Sequence, residues 1–171
     1  MNILKRITRG ETLDADAKRY DSVRVVLFDN SGLVAVMRVG SINAYTLPGG
    51  GIEEGETPEQ AVFREVLEET GCQCAVICEL GIVDENSKTY DWHGRSHCFA
   101  AKVLGDKGTQ RLTQIEIDEE TQVLWLDMSK AIEMMLNKNA NARDERERMI
   151  LEIMQERNIA VLDEAIRVLK L

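Results

Sequence analysis

The chain has 171 residues, 44% of them hydrophobic and 30% charged, which suits one ordinary core and is too short for two full domains. A formal net charge of −9 with only two histidines argues against a nucleic-acid partner, because phosphate-backbone binders present a basic face. An acidic protein that handles phosphates needs a cation as intermediary.

The apolar runs VRVVLF and LVAVM are broken by charges well short of a membrane span, and the start MNILKRITRGE lacks the apolar block of a signal peptide. The expected location is the cytoplasm, with no membrane partner. Residues 1–21 are polar and mixed in charge, and read as a lead-in or an edge strand. SVRVVLFD and LVAVMRV are rich in β-branched residues and joined by NSG, which predicts a hairpin. A short strand, AYTL, leads into Gly49, Gly50 and Gly51. Beyond the next helix, QCAVICELGIVD, RSHCFAAKVL and TQVLWLD read as strands separated by polar loops.

Cysteines stand at 72, 74, 78 and 98. The first three share a parity that places them on one face of a strand. Their C-x-C-x3-C spacing is not a usual zinc pattern, and buried free thiols are expected. From Ser129 onward KAIEMML, ARDERERMILEIMQER and AVLDEAIRVLKL carry apolar residues at helical spacing. Met149, Ile150, Ile153 and Met154 form one stripe, and Ile159, Leu162, Ile166 and Leu169 another. These should cover the domain's own core; a homodimer contact or a substrate lid are the alternatives. Strands on both sides of a central helix, with helices at the end, predict the α/β class: an α/β sandwich built on a mixed sheet. The expected division is 1–21 lead-in, 22–136 main domain and 137–171 C-terminal helical extension packed on the same domain.

The central helix is the most informative segment. Thr57 as N-cap, Pro58 at the first helical position and Gln60 three residues after the cap make a capping box, and Gly71 supplies a left-handed stop. The helix should run over 58–70. At about 100° per residue, Val62, Phe63, Val66 and Leu67 fall on one side and Glu65, Glu68 and Glu69 on the other. Clustered acids near a helix C-terminus repel one another and oppose the macrodipole. A solvated face with Arg64 as ion-pair partner is the bland explanation. A bound divalent cation is the sharper one, and oxygen-only ligands point to magnesium or manganese rather than zinc. Three glycines beside the cluster would let a backbone carbonyl approach such an ion.

From Gly50 to Cys72 the chain reads G-x5-E-x7-R-E-V-x-E-E-x-G-C, which resembles the signature of the Nudix hydrolase family at every defined position. Gly50, Glu56, Arg64, Glu65, Glu68, Glu69 and Gly71 carry it, with Val66 and Cys72 in its apolar slots; cysteine in the last slot is a mild departure. The strand pattern from Ser22 to Met135 is also similar to the family's α/β/α sandwich.

The resemblance implies hydrolysis of a nucleoside diphosphate derivative, a small-molecule nucleotide, by water activated at a bound Mg2+, with Mn2+ as a substitute. It implies Glu65, Glu68, Glu69 and the Gly49 carbonyl as metal ligands. Arg64 would hold a glutamate in its ligating rotamer, with Glu56 paired to Arg64. The general base is Glu65 or Glu69, or an acid of the later IEIDEETQ segment, where Glu116, Asp118, Glu119 and Glu120 otherwise make a solvated loop. Arg38 and Tyr45 occupy positions where the family often contacts phosphate or base, and Trp92, His93 and His97 are candidates to stack on a base, or else core and rim residues. The chain has no proline after Pro58, which counts against ADP-ribose by the family's markers. Tyr90, 18 residues beyond Cys72, is the marker of dinucleoside polyphosphate hydrolases, and a (deoxy)nucleoside triphosphate stands as an equal alternative. The rival roles are a catalytically silent nucleotide sensor and an isomerase on the same fold.

Overall fold

The computed structural model describes residues 2–10, 19–88, 91–137 and 140–171. In chain order they form β1 (Ile3–Thr8), β2 (Tyr20–Phe28), β3 (Val34–Val39), β4 (Ala44–Thr46), α1 (Pro58–Thr70), β5 (Gln73–Ser87), β6 (Trp92–Leu104), α2 (Gln114–Asp118), β7 (Thr121–Leu126), α3 (Met128–Met135) and α4 (Glu145–Leu169). The sheet runs β1-β5-β6-β2-β3-β4, and β7 pairs with β3. It is mixed: β1 lies parallel to β5 and β6 parallel to β2, while β5–β6, β3–β4 and β3–β7 are antiparallel.

Alternation along β2 divides the apolar residues between two layers. Val23, Val25 and Leu27 pack against Ala61, Val62 and Val66 of α1. Val26 and Phe28 face the other way, toward Ala131, Met149, Ile153, Val161 and Leu162 of α3 and α4. Helices therefore cover both faces, giving an α/β/α sandwich.

Three local expectations are corrected. The turn between β2 and β3 forms, with Asp29 Oδ1 accepting from the N–H groups of Ser31 (2.8 Å) and Leu33 (2.9 Å), yet the strands pair only at Phe28 and Val34. The reason is competition for an edge. Val23 N–H donates to Gly50 O and Val25 N–H to Pro48 O, both at 2.9 Å, and Ile52 N–H donates to Asp21 O at 3.0 Å. The glycine loop thus occupies the edge of β2 that a hairpin partner would use, and β3 pairs instead with β7 and β4.

The cysteines do not share one face. All four are free thiols, and Cys72 and Cys74 lie in the layer beneath α1, while Cys78 and Cys98 belong to the layer beneath α4. A register shift in β5 between Val76 and Cys78 reverses the parity after Cys74, as a bulge does. Cys78 is only half-buried.

The tail forms one 25-residue helix rather than two segments. Its buried stripe runs Met149, Ile153, Arg157, Val161 and Ala165, and Leu162 is buried beside it. Ile150 is exposed, and Ile159 and Leu169 pack partly against the same core. Among the described residues no helix is long and apolar enough to cross a membrane.

Candidate active site

Helix α1 begins at a complete capping box: Thr57 Oγ1 accepts from Gln60 N–H at 3.2 Å and Gln60 Oε1 accepts from Thr57 N–H at 2.8 Å. It ends at Gly71, with φ 70°. A Cβ at Gly71 would stand 2.5 Å from the carbonyl carbon of Gly108, so glycine there also admits the segment after β6. That segment satisfies the last carbonyls of the helix, because Gln110 Nε2 donates to Glu69 O and Arg111 N–H to Glu68 O, both at 2.6 Å.

The carboxylates meet the glycine loop along one side of this helix, where Glu65 and Glu69 are buried. Gly49, with φ 135°, runs so close to β2 that a Cβ would lie 2.2 Å from Val23 O. Its N–H donates to Glu69 Oε2 at 2.6 Å. Gly50 leaves the space that the Glu65 carboxylate fills, since a Cβ would sit 2.4 Å from Glu65 Oε1. The carbonyls on either side of Gly49, those of Pro48 and Gly50, are engaged by β2.

Arg64 ties the loop to the helix. It grips Glu56 with two bonds, Nε to Oε1 at 3.0 Å and Nη2 to Oε2 at 2.9 Å. Its Nη1 reaches Glu65 Oε1 at 2.7 Å and Glu68 Oε2 at 3.3 Å, and Nη2 donates to Gly51 O at 2.8 Å. Arg64 holds Glu56 below the usual carboxylate range, and the Glu56 bond strengthens the arginine's own hold on its proton. Burial acts the other way on two ligand candidates. Desolvation raises Glu65, and pushes Glu69 up to about 8 against the opposing Gly49 hydrogen bond. Glu68 is more exposed. Among the described residues no three acid, histidine or cysteine side chains are already gathered around a common point. The donor chemistry still suits a hard cation: two enclosed carboxylates with raised proton affinity, a third within reach, and bare main chain beside them.

Beside Gly50 and Gly51 lies a cleft of about 420 Å³, on the α4 side of the sheet. Tyr20 and Trp92 stack at its wall, with ring centroids 5.4 Å apart and planes 7° apart. Arg24, Glu85 and Arg157 also line it. None of Tyr20, Arg24, Glu85 and Arg157 stands out in the motif. A signal exists all the same: Arg24 interrupts the apolar run VRVVLF, and Arg157 falls in register with Ile153 and Val161 on the buried stripe of α4.

Among the other candidates, Glu116 is near enough to Glu69 for its charge to raise that carboxyl further. Arg38 and Tyr45 are cross-strand partners, and Tyr45 borders a second cavity of about 410 Å³ between β4, α3 and α4. IEIDEETQ contains the short helix α2 rather than a loop, with Glu116 capping Thr113. Glu119 accepts from Ser41 N–H at 3.1 Å through its carbonyl, and Glu120, at φ 54°, packs its side chain against Gly40. His93 lies 3.5 Å from Asp84 and His97 3.6 Å from Asp21. Tyr90 lies outside the described residues.

The family model of the NUDIX domain matches residues 18–149. The chain belongs to the Nudix family. An RNA pyrophosphohydrolase of Sulfurovum sp. (strain NBC37-1) is 41% identical over 85 residues, 47% of this chain and 48% of that protein. A Bacillus subtilis (strain 168) protein provisionally named an 8-oxo-dGTP diphosphatase is 30% identical over 81 residues, 47% of this chain and 52% of that one. The chain spans about half the length of these curated relatives. The Nudix fold recurs in a NUDIX hydrolase from Nitrosomonas europaea, with TM-score 0.57 and 19% identity over 82% of this chain and 91% of that one. It recurs again in a MutT protein from Methanosarcina mazei Go1, with TM-score 0.53 and 19% identity over 85% of this chain and 99% of that one.

Proposed function

We propose that this Nudix protein hydrolyses the pyrophosphate linkage of a nucleoside diphosphate derivative. The observation that carries the reading is the enclosure of Glu65 and Glu69 against Gly49 and Gly50, in a loop whose Gly50 and Gly51 also line a nucleotide-sized cleft. Glu65, Glu68 and Glu69, with the Gly49 carbonyl, are the residues that would hold a divalent cation, magnesium or manganese. Such an ion screens the charge of the pyrophosphate and lowers the pKa of the attacking water. The chain's own groups do the rest. Arg64, braced by Glu56, keeps Glu65 oriented. Water attacks one phosphorus, the bridging P–O bond breaks, and a carboxylate of α1 takes the water's proton. Glu65 and Glu69 are better placed for that proton than Glu119 or Glu120, which are held beside the turn at Gly40–Ile42.

The substrate class we favour is a small nucleotide, either a dinucleoside polyphosphate or a (deoxy)nucleoside triphosphate, in keeping with the net charge of −9. The names of the relatives bring two more compounds into the test, RNA bearing a 5′ pyrophosphate and 8-oxo-dGTP. The experiment is a panel of these, with nucleotide sugars and ADP-ribose, assayed with and without magnesium in the wild type and in Glu69→Gln. Magnesium-dependent cleavage of at least one compound is expected, with a loss on the order of 10²-fold or more in the variant. Tight binding with no cleavage of any compound would replace the hydrolase reading by that of a sensor.

A further inference from the structure

Arg24, Glu85 and Arg157 come from β2, β5 and α4 and meet in the cleft beside Gly50 and Gly51. Arg157 Nη1 lies 3.3 Å from Glu85 Oε1, with only 7% and 3% of the two side chains exposed. Arg157 Nε donates to Asn158 Oδ1 at 3.3 Å. Arg24 donates from Nη1 to Val23 O at 2.6 Å, and its Nε is enclosed with no hydrogen-bond partner among the described residues. Gly94 leaves room for the carboxylate, since a Cβ there would stand 3.0 Å from both Glu85 Oε2 and Trp92 Nε1.

Arg157 is thus paired with Glu85, while Arg24 feels the charges of Glu85 and Glu69 without a side-chain partner at its Nε. At the rim Arg19 is already taken by Asp21, with bonds of 3.0 and 3.2 Å. An enclosed donor such as Arg24 Nε is costly unless an acceptor meets it. Burial, together with the charge of Arg157, pushes Arg24 down to about 10 against the opposing charges of Glu85 and Glu69. Core packing does not explain Arg157, which holds a position on the buried stripe of α4 where the neighbours one turn away, Ile153 and Val161, are apolar. What Arg24 lacks is an acceptor at Nε, and a phosphate oxygen next to the glycine loop would supply it.

We propose that Arg24 and Arg157 form an anion subsite that takes a phosphate of the substrate, with Glu85 as the positioning residue for Arg157. Helix α4 is then part of the substrate site and not only a cover for the core. The proposal rests on the hydrolase reading for the identity of the anion, but not for the existence of the subsite.

The test is calorimetric titration of the protein with inorganic pyrophosphate in the presence of a chelator, so that no divalent ion contributes. The wild type should bind, and Arg157→Met and Arg24→Gln should each weaken binding by about tenfold, the loss of one charge-assisted contact. Arg157→Lys should recover part of it, because charge remains without the planar fork. With whichever nucleotide the wild type cleaves, Arg157→Met and Glu85→Gln should raise KM and leave kcat within about twofold, the pattern of lost ground-state binding. Circular dichroism checks the fold, and if Arg157→Met does not fold, Arg24→Gln and Arg157→Lys carry the test. No uptake of pyrophosphate by the wild type, or equal uptake by the arginine variants, overturns the subsite. Uptake lost in the variants while no nucleotide is cleaved by the wild type keeps the subsite and removes the hydrolase reading.

Discussion

Gly49 donates its main-chain N–H to Glu69 Oε2 across 2.6 Å, while the carbonyls on either side of Gly49 are bound by β2. Helix α1 and β2 are therefore joined through one glycine, and the carboxylate at that junction is enclosed. Enclosure without a cation favours its protonated form, which is why Glu69 is pushed up to about 8.

This makes stability depend on pH in a definite direction. Between the ordinary glutamate value of 4.5 and about 8, the folded chain holds a proton that the unfolded chain has released. The resulting stabilisation is complete at low pH and is lost as pH rises through 8. In metal-free buffer this contribution makes the melting temperature fall between about pH 5 and about pH 8 and level off above, and Glu69→Gln should flatten that fall. Magnesium should raise the melting temperature most at the alkaline end. A Glu69→Gln protein with the wild-type slope would show that another group is responsible.

The two glycines should respond differently to alanine. Gly49→Ala forces a Cβ to within 2.2 Å of Val23 O at a φ of 135°, and both neighbours are backbone. The cost should be at least ~1–3 kcal/mol, read by urea unfolding. Gly50→Ala meets only the end of the Glu65 side chain at 2.4 Å, which can swing aside. Its stability should stay close to that of the wild type while magnesium affinity drops, because the displaced group is a proposed ligand. Equal destabilisation by both substitutions would count against this distinction.

Arg64 bonds Glu56, Glu65, Glu68 and Gly51 O together, so Glu56→Gln should act at a distance. The expected effect is a loss of about 10–100-fold in magnesium affinity or activity with the fold intact. Arg64→Lys should be comparably damaging despite keeping its charge, since an ammonium cannot supply the fork that grips Glu56 and Glu65 at once. Titration of each variant with magnesium, followed by thermal shift, decides the matter.

Much of the candidate site was legible along the chain because its parts are local. Thr57, Gln60 and Gly71 bound α1 through contacts within a few residues, and helical periodicity alone groups Glu65, Glu68 and Glu69. Strand existence was legible for the same reason, whereas pairing was not. The β2–β3 turn formed where NSG stands, but which strand occupies each edge depends on the glycine loop arriving from 20 residues downstream. The side of Cys78 was likewise hidden, since the register shift in β5 between Val76 and Cys78 turns that residue to the other layer.

The sequence by itself determined the helix, its caps and the cluster of acids, because backbone sterics and a 3.6-residue period act over one or two turns. Only the tertiary structure decided that Arg24, Glu85 and Arg157 share one cleft wall with Gly50 and Gly51. Their sequence separations of 61 and 72 residues leave no local trace, and it is the packing of α4 on the sheet that brings the charges together.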